Sequence, residues 1–194
     1  MEIETITIVG AAGLGRRLAY GALLAGYRTV LEDISPSALE EGIAWIAQAF
    51  GDNVARGKMN AAFRDAALAN LSTAISAEDA SREADLIIEA VPDEMEMKIE
   101  LFTIFDKFAK PGAIFASTTS ALSITEIAAV TFCPERCIAI RFMTEARNAG
   151  RLELVKGLET SEETIAACRE VGQRMGKEVF VLNDQRVTSA SAGN

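Results

Sequence analysis

Residues 3–33 constrain the fold more tightly than any other stretch of the chain. Apolar and β-branched residues run from Ile3 to Val9, Gly10 interrupts them, and an apolar helical run extends from Leu14 to Ala25. A second strand-like stretch, Arg28 to Leu31, ends at Glu32-Asp33. Strand, glycine turn, helix, strand and terminal acid is the layout of a dinucleotide-binding βαβ unit. A glycine turn lets backbone N–H groups at a helix start approach a pyrophosphate, where the helix dipole favours negative charge. A carboxylate closing the second strand can accept hydrogen bonds from a ribose diol and would repel a 2′-phosphate, which favours NAD over NADP.

The fingerprint departs from its usual form at one position. In the frame Gly10-x-Ala12-x-x-Gly15, an alanine stands where G-x-G-x-x-G has its middle glycine. That glycine normally lets the backbone come close to the pyrophosphate, so the Ala12 methyl is expected to crowd a ligand. Gly13, one residue on, restores conformational freedom. Gly10, Ala12, Gly13, Leu14 and Gly15 are the candidate pyrophosphate contacts. Asp33, at about the 20-residue interval such units show, is the candidate ribose ligand.

Length and composition narrow the function classes. The 194 residues suffice for one domain with a proper core. The net charge of −9 argues against a polyanion-binding surface, so no nucleic-acid partner is expected. No apolar run reaches the roughly 18 residues of a membrane span, and the N-terminus lacks a secretion-signal pattern, so the expected location is cytoplasmic. Three cysteines cannot all pair within the chain, and with no histidine they make a poor metal site; free, buried thiols are expected. The lack of histidine also removes the usual base for chemistry near neutral pH.

Further elements alternate along the chain. Ser35-Pro36 starts a helix through Ala49, Met59 to Ala69 reads as a helix, and Leu71 to Ile75 as a strand. Asp85 to Val91 is a nearly all-apolar central strand, Met95 to Phe108 a helix stopped by Pro111-Gly112, and Ile114 to Ser117 a strand. Ser123 and Glu126 form a capping-box pattern. Strands over Arg136 to Phe142, Leu152 to Val155 and Val179 to Leu182, with a helix over Glu162 to Met175, complete the pattern. The alternation predicts an α/β fold with a doubly wound, mostly parallel sheet over residues 1–184 and a frayed tail over 185–194.

By residue 120 the order of motifs becomes specific. Asp85-Leu-Ile-Ile-Glu-Ala-Val-Pro-Asp93, Lys98, Ala116-Ser-Thr-Thr-Ser120, Ile124-Thr-Glu-Ile-Ala128, Pro134-Glu-Arg136 and Thr160-Ser161 fall in one register. Together with the glycine turn they resemble the NAD-binding Rossmann domain of 3-hydroxyacyl-CoA dehydrogenases, including the 3-hydroxybutyryl-CoA enzymes, from about residue 4 to Asp184. The resemblance implies NAD-dependent oxidation of a 3-hydroxyacyl-CoA in fatty acid metabolism. It also implies cofactor-side roles for Ala90, Val91, Asp93, Lys98 and Ser120. Against that reading, Asp93 and Lys98 could be an exposed carboxylate and a helix-surface lysine, and Ser120 could terminate a strand or cap a helix.

The family's catalytic pattern is kept in part. Its serine is Ser120 and its glutamate is Glu153, but its histidine base falls on Arg141, and guanidinium stays protonated at any working pH. The family's paired asparagines are Thr118 and Thr144, and its following proline is Glu145. With the histidine replaced, Glu153 is expected to ion-pair with Arg141. The chain ends before the helical C-terminal domain that members carry, so impaired turnover and a homodimer or partner chain are expected. Two alternatives stay open. One is residual redox on an acyl-CoA or other small hydroxy substrate through Ser120 and Glu153, with Arg141 as an anion clamp. The other is a nucleotide-responsive or partner-binding module without chemistry.

Overall fold

In the computed structural model, which describes residues 2–142 and 150–184, strands and helices alternate as the sequence predicts. They run in the order β1 (Thr5–Val9), α1 (Gly13–Leu24), β2 (Arg28–Glu32), α2 (Pro36–Ala55), α3 (Ala61–Ala69), β3 (Leu71–Ala74), α4 (Ala77–Ser81) and β4 (Leu86–Glu89). Then follow α5 (Met95–Phe108), β5 (Ile114–Ser117), α6 (Ile124–Ala128), β6 (Cys137–Phe142), β7 (Arg151–Lys156), α7 (Glu162–Arg174) and β8 (Glu178–Asn183). Thr144, Glu145 and the expected tail from residue 185 lie outside the described residues.

The strands form one sheet in the order β3-β2-β1-β4-β5-β6-β7-β8. β3 through β6 in that order are parallel, β7 turns antiparallel to β6, and β8 runs parallel to β7. The chain steps outward from β1 first on one side and then, from β4, on the other. That reversal opens a crevice at the C-terminal ends of β1 and β4, where open α/β sheets bind ligands. β1 and β4 are buried on both faces, which is why β4 is apolar up to Glu89 and β1 carries only isoleucine, valine and the small β-branched Thr5 and Thr7.

Two apolar layers cover the sheet. Leu18, Leu23, Leu31, Ile46 and Phe50 pack with the strand residues Ile6, Ile8 and Ile88 on one face. Val9, Ile87, Phe102, Phe105, Phe115 and Ile127 form the layer on the other. Helix starts follow local chemistry: the Ser35 side chain accepts from Ala38 N with Pro36 in the first turn, and Asn60, Ser76, Ser123 and Ser161 cap α3, α4, α6 and α7 the same way.

The structure differs from the sequence expectations in a few boundaries. α2 runs on through Gly51 to Ala55, because a single glycine lowers helix propensity without breaking the ladder. The short helix α4 was not anticipated; five residues are too few to show a helical period. Arg136 lies in a 3₁₀ turn with Pro134, so β6 begins at Cys137. Asp184 is anchored, its carboxylate accepting from Ser123 Oγ at 2.6 Å and from Thr125 N at 3.1 Å. Cys133, Cys137 and Cys168 are free and buried, as expected. Among the described residues no helix is long and apolar enough to cross a membrane.

Candidate functional site

The glycine turn after β1 has the geometry its sequence implied. Gly10 takes φ +100°, a backbone that side chains disfavour, and a Cβ there would lie 3.1 Å from the Ala90 carbonyl. At Gly15 a Cβ would fall 1.7 Å from Gly10 O, so only glycine lets α1 start this close to the strand end. Gly13 adopts φ +37° and faces open space. Ala12 holds the N-cap position with φ −82° and ψ 169° and offers no side-chain cap. The first turn of α1 carries no acidic residue. An uncapped helix start with positive dipole and open space above it fits an anionic diphosphate.

Asp33 ties this turn to the end of β2. Its Oδ2 accepts from Ala11 N at 2.9 Å and its Oδ1 from Ser35 N at 2.9 Å, while Gly10 N donates to Glu32 O at 2.8 Å. Each carboxylate oxygen keeps a lone-pair direction for a further donor such as a ribose hydroxyl. A cleft of about 490 Å³ opens beside it, lined in part by Gly10, Glu32, Asp33, Ile34, Ser76 and Val91.

On the other side of the crevice, Asp93, Lys98 and Ser120 come together. Lys98 is fully buried, and its ammonium donates to Glu89 Oε1 at 2.7 Å, Glu89 Oε2 at 2.9 Å and Val91 O at 3.3 Å. Asp93 Oδ1 lies 3.5 Å from the same ammonium, and its Oδ2 accepts from Ser120 N at 3.1 Å and Ser120 Oγ at 3.2 Å. Lys98 is therefore not the helix-surface lysine that the sequence left open. Burial pushes the Asp93 carboxyl up, but Thr119, the Ser120 amide and Lys98 together hold it below the ordinary carboxylate range. Burial likewise raises Glu89, against the pull of Lys98, Ser117 and the Val91 amide.

Glu89 and Ser117 were not singled out from sequence. Both lie at strand ends and are wholly buried, and the Ser117 hydroxyl donates to Glu89. The available signal was a carboxylate closing the otherwise apolar run Leu86-Ile-Ile-Glu89, nine residues before a lysine. Ala90 and Val91 carry the chain from this pair to the cleft: Ala90 N donates to Val9 O at 2.7 Å and Val91 N to Glu89 Oε2 at 3.2 Å. Glu32 was likewise missed as a site residue; it is 2% exposed and its Oε1 has no hydrogen-bond partner.

Arg141 and Glu153 lie opposite one another in the antiparallel register of β6 and β7. The expected ion pair between them does not form. Arg141 Nε donates to Thr119 O at 3.0 Å, so its side chain crosses toward the exit of β5, and Glu153 pairs with Arg151 at 3.0 Å instead. Arg151 sits two residues away on the same strand face, and its guanidinium is held over the Phe180 ring at 3.9 Å. The structure thus brings Arg141 beside the backbone that leads into Ser120, and leaves Glu153 engaged by a different cation.

Comparison with known proteins identifies the family and the fold. Residues 5–185 match the family described as 3-hydroxyacyl-CoA dehydrogenase, NAD binding domain. A Bacillus subtilis protein described as a "probable 3-hydroxybutyryl-CoA dehydrogenase" is 35% identical over 184 residues, covering 95% of this chain and 64% of that protein. The (S)-3-hydroxybutyryl-CoA dehydrogenase of Ralstonia eutropha superposes with a TM-score of 0.89 at 30% identity, over 95% of this chain and 65% of that one. The 3-hydroxybutyryl-CoA dehydrogenase of Escherichia coli K12 gives a TM-score of 0.90 at 29% identity, over 95% and 39%. The chain thus spans less than two thirds of the length of each of these three proteins.

Proposed function

The chain belongs to the 3-hydroxyacyl-CoA dehydrogenase family through its NAD-binding domain, and on that premise we propose that it binds NAD but turns over 3-hydroxyacyl-CoA poorly by itself. Bound NAD would supply a hydride acceptor. The α1 start with Gly10, Ala12, Gly13, Leu14 and Gly15 would hold the diphosphate, and Asp33 the ribose diol. Asp93 and Ser120 would border the nicotinamide half, with Lys98 fixing Asp93 from below, and Ala90 and Val91 would lie between that half and the adenosine end. An acyl-CoA or another small hydroxy compound is the proposed substrate class.

One observation carries the impaired-turnover reading: Arg141 stands where the family resemblance puts the histidine base. Its guanidinium cannot accept a hydroxyl proton, and its Nε is committed to Thr119 O. A positioned base contributes roughly 10²–10⁴-fold to such a step. Glu153, the remaining candidate, is engaged by Arg151. A nucleotide-responsive module without chemistry would rest on the same site and the same substitution.

The test is NADH binding followed by fluorescence, alongside steady-state oxidation of (S)-3-hydroxybutyryl-CoA. Saturable NADH binding with turnover well below the usual range of about 1–10³ s⁻¹ is expected. Turnover within that range would overturn the impaired reading, and no binding at millimolar nucleotide would overturn the NAD assignment.

A further inference from the structure

Among the described residues, Glu32 is a buried acid without a counter-charge. It closes β2 with 2% of its surface exposed, and its Oε1 is buried with no hydrogen-bond partner. Its side chain lines the cleft of about 490 Å³ at the ends of β1, β2, β3 and β4. Among the described residues, the charged groups that face this cleft are all acidic: Asp33 from the end of β2, Glu78 from the first turn of α4, and Glu100 from α5. β1 and β3 contribute no titratable side chain, and no lysine or arginine is among the lining residues. Lys98, behind Val91, is already committed to Glu89 and Asp93.

A buried carboxyl in such surroundings has two stable conditions, paired with a cation or neutral. Two amide N–H groups point at Asp33, whereas none points at Glu32 Oε1. Burial without a partner for Oε1 therefore favours the neutral form of Glu32. Burial, and then the Asp33 charge, push the Glu32 carboxyl up to about 7.

We propose that Glu32 forms the inner wall of the cofactor's adenosine subsite in its neutral form, and that dinucleotide binding draws a proton onto it. The inference rests on the NAD reading above. The adenosine end follows from position: Asp33 and the start of α1 lie beside Glu32, while Ser120 lies across the crevice past Asp93. A dinucleotide settling there brings two diphosphate charges and displaces water from the cleft. Both effects disfavour the carboxylate and favour the acid. A neutral carboxyl also gains an O–H donor that adenosine nitrogens or hydroxyls can accept. By linkage, a ligand that raises the proton affinity of Glu32 binds more tightly at low pH and more weakly as pH rises past neutrality.

The experiment is calorimetric titration of the full chain with NADH at about pH 6 and about pH 8.5, in buffers of different ionisation enthalpy. The unmodified chain should bind several-fold to about tenfold more weakly at the higher pH and take up a fraction of a proton near neutrality. Glu32→Gln, a neutral isostere, should still bind NADH but lose both the pH dependence and the proton uptake. Binding without proton uptake in the unmodified chain would overturn the role of Glu32, with the NAD reading intact. So would a Glu32→Gln protein that keeps the original pH slope. Absence of NADH binding at both pH values would overturn the NAD reading itself, and this inference with it.

Discussion

Arg141 and Glu153 occupy directly opposed positions on β6 and β7 but bind different partners, Thr119 O and Arg151 respectively. Replacing the arginine with the family's histidine therefore does not by itself rebuild a histidine–glutamate pair. We expect Arg141→His to raise 3-hydroxybutyryl-CoA oxidation by less than about tenfold, below the 10²–10⁴-fold of a positioned base. Adding Arg151→Leu, which frees Glu153, should raise it further. Steady-state NADH formation checks both variants, and full recovery in the single variant would show that Arg151 does not restrain Glu153.

Glu32 makes a pH-dependent contribution to stability in the unliganded chain. Its carboxyl is raised from 4.5 to about 7 in the fold, so the neutral form is favoured by folding. The stability it contributes is complete below about 4.5 and is lost as pH rises through about 7. At about 1.4 kcal/mol per pKa unit, the loss approaches about 3 kcal/mol. Glu32→Gln should match the parent under acid conditions and exceed it by about 3 kcal/mol at about pH 8.5. Urea melts at both pH values decide; parallel curves would exclude the effect.

Lys98 and Glu89 are both wholly buried. Lys98→Met leaves the Glu89 carboxylate without its cation and should destabilise the fold by about 3–5 kcal/mol. The double variant Glu89→Gln with Lys98→Met should recover a large part of that loss, because it removes the uncompensated charge as well. Denaturation midpoints of the two variants provide the comparison, and equal losses would point to packing rather than charge.

Asp33→Ala removes the acceptor for two backbone donors, Ala11 N and Ser35 N. A stability loss of about 1–3 kcal/mol should accompany any change in binding. The preference for NAD over NADP should narrow by a few kcal/mol at most, the scale of a charge-assisted hydrogen bond. Affinities for both nucleotides, measured on parent and variant, test the assignment. Equal affinities in the parent would sink it.

Much of the fold was legible in contiguous residues. The Gly10 turn and the Ser35-Pro36 helix start are local signals that form as expected, and of the Ser123–Glu126 pattern the Ser123 Oγ cap on Glu126 N is present. The apolar strands from Leu86 to Glu89 and from Ile114 to Ser117 needed only composition and the flanking breakers. Asp33 could be placed from its spacing because one strand and one helix fix its distance from Gly10.

What tertiary structure alone decided concerns which charges meet. Sequence shows a lysine on helix α5, but only the packing of that helix against the ends of β4 and β5 buries it on Glu89 and joins it to Asp93 and Ser120. Sequence shows two adjacent acids in Glu32-Asp33, yet only the fold gives the Asp33 carboxylate two backbone amides and leaves Glu32 Oε1 unpartnered. Register places Arg141 opposite Glu153, while the direction of each side chain decides that they pair elsewhere. Propensity and turn chemistry act through neighbours along the chain and can be read there. Charge pairing depends on distances of a few ångströms between distant segments, and those are set only when the sheet and its helices close.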